Sequence, residues 1–183
     1  MISRLDYDQY RAAGYNRIPM VRTVLADFET PVSAYAKLAR GAYSYLLESV
    51  QGGEKWGRYS MIGLPCATVI KVDSNQVVIE EDGEVVHTQS TDDPLSAIQQ
   101  IQHQFRVPQI DGMPRFTGGL VGYFGYETVN YVETHLGESS KSDPVGAPDI
   151  LLMVSDEVLV FDNLSGRLHL IVHTDPEIED AFE

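Results

Sequence analysis

From residue 43 to residue 88 apolar and polar side chains tend to alternate, and turn-forming residues cut the pattern into short runs. A period of two belongs to pleated strands, whose successive side chains leave opposite faces, and not to helices. The runs are 43–49 (YSYLLES), 58–62 (RYSMI), 67–72 (ATVIKV), 76–80 (QVVIE) and 84–88 (EVVHT). Gly52-Gly53, Leu64-Pro65, Asp73-Ser74-Asn75 and Asp82-Gly83 separate them. Asp82-Gly83 is the strongest hairpin signal of the four, because both residues tolerate positive φ. The region reads as an antiparallel meander.

Helices flank it. Residues 5–13 read as a short helix stopped by Gly14, and 20–25 (MVRTVL) as a strand. Thr30-Pro31 places a capping side chain before proline, the usual helix opening, and the apolar stripe Val32, Tyr35, Leu38, Ala39 runs to Gly41. Asp93-Pro94 repeats the device, followed by Leu95, Ile98, Ile101 and Phe105 at helical spacing until Pro108. Beyond lie a glycine-rich strand over 118–124, a helix over 126–135 and strands over 150–154, 157–162 and 168–172. The fold class expected is α+β: antiparallel sheets in a sandwich-like assembly with a few flanking helices. A length of 183 residues suits one domain with its own core. Asp175-Pro176-Glu177 has the form of a third capped helix start, so a chain ending at Glu183 is expected to stop as a helix begins.

Charge narrows the function classes. Twenty-seven acidic against thirteen basic side chains give a formal net charge of −14, which repels phosphate backbones and anionic lipids. Neither a nucleic acid nor a membrane is an expected partner. The first twenty residues hold Asp6 and Asp8 and no apolar run, and the single cysteine, Cys66, permits no internal disulfide. The expectation is a cytoplasmic protein.

Catalytic signatures are missing. The sequence has no G-x-S-x-G elbow, no Walker phosphate loop and no H-E-x-x-H motif. Of the five histidines, His87, His103 and His135 sit in separate stretches, and His169 and His173 lie four residues apart. His169 and His173 fall on one predicted strand, about 13 Å apart, too far to share a metal. No metal site is expected in the chain.

Two segments stand out. Leu46-Leu47-Glu48-Ser49 ends a strand before the loop Gln51-Gly52-Gly53-Glu54-Lys55. One interpretation is an edge strand with packed leucines and solvated polar ends. The other is a small-molecule site in which Glu48 pairs an ammonium, Ser49 hydrogen-bonds the ligand and Arg58 meets a carboxylate. The second segment, Gly118-Gly119-Leu120-Val121-Gly122-Tyr123-Phe124-Gly125, lacks the spacing of a phosphate cradle. Glycine inside an apolar strand instead marks a close backbone approach or a sharp bend.

Taken together and in order, three stretches are specific. The run Arg40-Gly41-Ala42-Tyr43-Ser44-Tyr45-Leu46-Leu47-Glu48-Ser49, then Gly57-Arg58-Tyr59-Ser60-Met61-Ile62-Gly63, and later Gly118 through Glu127, resemble the amino-terminal domain of anthranilate synthase component I, a chorismate-utilising family. The resemblance extends from about Tyr15 to about Val172. Aminodeoxychorismate synthase component I, of the folate pathway, shares the domain, but the L-L-E-S wording favours the tryptophan enzyme.

The resemblance implies a longer parent lyase that converts chorismate and ammonia to anthranilate and pyruvate. A glutamine amidotransferase subunit, component II, would supply the ammonia. It further implies that chorismate and Mg²⁺ are held by a carboxy-terminal domain outside this sequence. The present chain would then be a regulatory piece, without catalytic residues or turnover, contributing Leu47, Glu48 and Ser49 to a feedback site for L-tryptophan. A basic residue after that segment, Arg58 or Lys55, would complete this half of the site. Apolar surface left uncovered would favour self-association. The alternative to an enzyme part is a free-standing amino-acid-binding module.

Overall fold

The computed structural model describes residues 2–49, 57–133, 135, 145–178 and 180–182. Among these, ten strands and three α-helices fold into two five-stranded antiparallel sheets, which makes the class α+β. The chain divides into two compact units.

The first unit comprises Met1–Cys66, Phe105–Gly119 and Ser155–Glu183. It contains α1 (Arg4–Ala12), β1 (Ile18–Leu25), α2 (Pro31–Leu38), β2 (Tyr45–Glu48), β3 (Tyr59–Gly63), β9 (Glu157–Asp162) and β10 (Arg167–Thr174). Its sheet runs β1-β10-β9-β3-β2. Both helices begin with a capping box, Ser3 with Asp6 and Thr30 with Ser33, in which side chain and backbone satisfy one another's free N–H groups. Pro31 occupies the first turn of α2, as its fixed φ favours. β9 lies at the centre of the sheet and is buried at every position from Val158 to Asp162. Ile62, Leu159, Phe161 and Leu168 form one core with Ala34 and Ala39 of α2 and its end, while Val158, Val160 and Ile171 form another.

The second unit comprises Ala67–Gln104 and Leu120–Val154. Here β4 (Thr68–Asp73), β5 (Gln76–Glu81), β6 (Glu84–Ser90), β7 (Gly119–Phe124) and β8 (Ile150–Ser155) are ordered β6-β5-β4-β8-β7, with α3 (Pro94–Gln104) against β5. Val69, Ile70, Val72, Val77, Ile98, Ile150 and Leu152 are buried in it. Asp82 and Gly83 adopt φ of 50° and 83°, the left-handed pair that a two-residue hairpin needs. Asp93 caps α3 by accepting from the Ser96 N–H at 3.0 Å.

Three expectations are corrected. The strands from 43 to 88 do not form one meander: β2 and β3 belong to one sheet and β4, β5 and β6 to the other. The break falls at Leu64-Pro65, where proline offers no N–H to a ladder and holds its predecessor extended. The outer edge of β3 is taken instead by β9, in the register Tyr59↔Asp162 to Gly63↔Val158. The helix expected over 126–135 is a 3₁₀ helix over Tyr126–Tyr131. Its β-branched Thr128 and Val129 disfavour an α-helix. Asp149 also holds both ends, its carbonyl accepting from the Gly125 N–H and its carboxylate from the Tyr131 hydroxyl. Finally, the described residues from 176 to 182 form turns rather than a helix. Asp175 does accept from the Glu177 N–H, but its second oxygen is bonded to Arg17 Nη1 at 3.0 Å. A helix of one or two turns is below the length that propagates in water.

Candidate functional site

The expected site lies at one end of the first unit's sheet. Among the described residues β2 is the last strand of its sheet and pairs with β3: Leu47 lies opposite Met61, and Glu48 opposite Ser60. Leu46 packs into the core around Ile62, and strand alternation therefore puts Leu46 and Glu48 on one face and Leu47 on the other. A ligand touching both Leu47 and Glu48 would reach them across the edge of β2 away from β3. Leu47 is half exposed, and Glu48 and Ser49 are exposed. Lys55 lies outside the described residues.

Ser49 lies against the backbone of Gly57, the residue before Arg58. A Cβ built on Gly57 would stand 1.9 Å from the Ser49 carbonyl oxygen and 2.5 Å from the Ser49 Cβ. No residue with a side chain fits there without moving the main chain. Arg58 is held by β9: its Nη2 donates to Asp162 Oδ2 at 3.0 Å and its Nε to Asp162 Oδ1 at 3.3 Å. The guanidinium also lies over the Tyr59 ring, 4.8 Å from the centroid. Asp162 takes bonds from two of the five N–H donors of a guanidinium, so the side chain is anchored and oriented.

Arg58 holds the Asp162 carboxyl well below the ordinary carboxylate range, at about 2, with the Leu164 N–H assisting. A depressed folded-state value stabilises the protein above the unfolded value of 3.8 and ceases to do so as pH falls through about 2. Because Arg58 is half exposed, screening leaves about 1 kcal/mol of this. The Asp162→Asn protein is therefore expected to be less stable by about 1 kcal/mol at pH 6, with the gap closing between pH 4 and pH 2. Urea unfolding of both proteins across that range checks it; a gap that persists at pH 2 would contradict the pairing.

The other segments that the sequence singles out have structural roles. A Cβ on Gly122 would lie 1.8 Å from the Leu151 carbonyl oxygen, and one on Gly118 2.5 Å from the Ser155 carbonyl oxygen. The glycine-rich strand is thus a place of close backbone approach, as its composition implies. His169 and His173 have separate partners, Thr23 Oγ1 at 3.0 Å and Thr117 Oγ1 at 3.3 Å. Burial pushes the Cys66 thiol up to about 11, which leaves it unsuited to nucleophilic chemistry near neutral pH. Among the described residues no helix is long and apolar enough to cross a membrane.

No family model matches the chain. Anthranilate synthase component 1 of Pseudomonas putida is 56% identical over 182 residues, a match that covers all of this chain and 37% of that protein. The protein of the same name from Pseudomonas aeruginosa is 55% identical over 184 residues, and that of Neisseria meningitidis serogroup B 51% identical over 186. The chain is homologous to the amino-terminal part of anthranilate synthase component I.

It spans a little over a third of the length of these anthranilate synthase component 1 relatives. A crystal structure of anthranilate synthase component I from Streptococcus pneumoniae shares the fold. It superposes with a TM-score of 0.52 at 24% identity, over 86% of this chain and 33% of that one. The residues easiest to miss from sequence are Gly57, Asp162 and Asn163. Asp162-Asn163 reads locally as a turn, and Gly57 as one more glycine in a loop. No pattern within either stretch signals that they meet.

Proposed function

We propose that this chain is the amino-terminal, regulatory part of an anthranilate synthase component I, the lyase that converts chorismate and ammonia to anthranilate and pyruvate. Identity above 50% along the entire chain to several such enzymes supports the reading. Component II, a glutamine amidotransferase, is the partner that delivers ammonia. Chorismate and Mg²⁺ belong to the carboxy-terminal part of the enzyme, and the whole works in the cytoplasm. The present residues bind L-tryptophan as a feedback inhibitor and carry no turnover of their own.

Leu47, Glu48, Ser49 and Arg58 form this chain's share of the tryptophan site. Glu48 pairs the ammonium, and the Ser49 hydroxyl bonds the ligand. Arg58, aimed by Asp162, offers its remaining donors to the carboxylate, while Leu47 supplies an apolar wall. A site shared with another part of the enzyme binds weakly when only one half is present. The 183-residue chain alone should therefore show no tryptophan binding at micromolar ligand and should tend to self-associate.

The test is anthranilate formation by the complete enzyme with component II, with and without tryptophan. Ser49→Ala is expected to raise the inhibitory concentration of tryptophan at least tenfold with turnover intact. Unchanged inhibition in that variant would refute the site.

A further inference from the structure

The ligand segment has no interior of its own. β2 ends at Glu48, Ser49 is exposed, and among the described residues the sheet offers no strand beyond it. What fixes Ser49 is the backbone of Gly57, seated so closely that a methyl group there would overlap the Ser49 carbonyl. Gly57 is in turn held from the β9–β10 turn. Asn163 Nδ2 donates to the Gly57 carbonyl at 3.1 Å, and lies 3.4 Å from Ser60 Oγ. The Asn163 backbone N–H donates to the Arg58 carbonyl at 2.8 Å. These contacts run from the central strand of the sheet out to its edge, from Asn163 through Gly57 to Ser49.

We propose that Gly57 and Asn163 are positioning residues of the regulatory site: they hold Ser49 in place and so set the affinity for the amino-acid ligand without touching it. The proposal rests on the regulatory reading of Leu47, Glu48 and Ser49 given above. Physically, a hydroxyl on an exposed strand end is free to turn, and each unfixed rotor weakens a hydrogen bond to a ligand. Seating the Ser49 backbone against Gly57 fixes the position of its Cβ before the ligand arrives and leaves only the χ1 rotor to be ordered on binding. An asparagine at 163 serves because its amide donates two bonds while its own backbone N–H reaches Arg58.

The experiment measures tryptophan inhibition, kcat and KM for chorismate in the complete enzyme with component II. The variants are Asn163→Ala, Gly57→Ala, Ser49→Ala and, as a control on the same turn, Leu164→Ala, whose side chain is exposed. Asn163→Ala and Gly57→Ala are each expected to raise the inhibitory concentration of tryptophan about tenfold or more, with kcat and KM within twofold of the parent. Leu164→Ala should leave all three quantities unchanged. If Ser49→Ala desensitises the enzyme but Asn163→Ala and Gly57→Ala do not, the positioning role is wrong and the site stands. If Ser49→Ala also leaves inhibition intact, the site assignment itself falls. Loss of kcat together with inhibition in Asn163→Ala and Gly57→Ala overturns the proposal as well, since residues that only place Ser49 leave turnover alone.

Discussion

Gly63→Ala is expected to cost about 3 kcal/mol of stability. Gly63 is buried at the end of β3, directly opposite Tyr45 on β2. The Tyr45 ring lies over it: a Cβ at 63 would stand 1.9 Å from Tyr45 Cε1 and 2.4 Å from Cζ. The ring cannot swing aside freely, because Tyr45 is itself buried and its hydroxyl bonds Ser155 Oγ at 2.8 Å. Ser155 has no exposed surface. Forcing the ring outward therefore combines overpacking with a buried hydroxyl left without its partner, each worth about 1–3 kcal/mol. Urea unfolding gives the number. Combining the change with Tyr45→Ala should recover part of the loss, since the two sites share one contact; strict additivity would show that the ring is not the obstacle.

Gly122→Ala is expected to strip β7 from the second unit's sheet at a cost of about 3 kcal/mol. In this case the obstacle is main chain: the Leu151 carbonyl oxygen at 1.8 Å and carbon at 2.8 Å, and the Leu152 Cα at 3.0 Å. No rotamer relieves a clash with a neighbouring strand, so β7 and β8 must separate. β7 is the end strand of its sheet and can leave without dismantling β4, β5 and β6. Hydrogen exchange should consequently accelerate at the β8 amides that face β7, while the amides joining β4 to β5 keep their protection. Equal protection in parent and variant would show that β7 does not approach β8 in this way.

Both predictions turn on glycines whose obstacle their own stretch does not name: the glycine density around Gly122 marks a close backbone approach without saying to what, and nothing around Gly63 marks one. Gly63 follows Met61-Ile62 in a strand pattern, and Gly122 sits in a short segment beside Gly118, Gly119 and Gly125. Only the partner strand tells why each has no side chain. The candidate site shows the same division. The Leu46-Leu47-Glu48-Ser49 segment and Arg58 could be picked out from residue type and order. Asp162 and Asn163, which hold Arg58 and Gly57, lie more than a hundred positions further along the chain.

What the amino-acid order determined by itself was much of what neighbours within a few positions govern, though not the stretch after Gly125 or the one after Asp175. The Thr30 cap with Pro31, the Asp93 cap before α3, the left-handed Asp82-Gly83 hairpin and the alternation that makes strands all depend on contacts a turn or two away. The similarity to anthranilate synthase component I was legible for a related reason, since it resides in short ordered motifs. The pairing of strands was decided only by tertiary structure. β1 takes β10 as its partner and β3 takes β9, across most of the chain, and nothing in a strand's own pattern names its neighbour. Alternation fixes which face of a strand is apolar but not which other apolar face will cover it. That choice follows from burying the two sets of faces at once, and it divides the expected meander between two sheets and ties an edge-strand serine to an asparagine on the far side of β3.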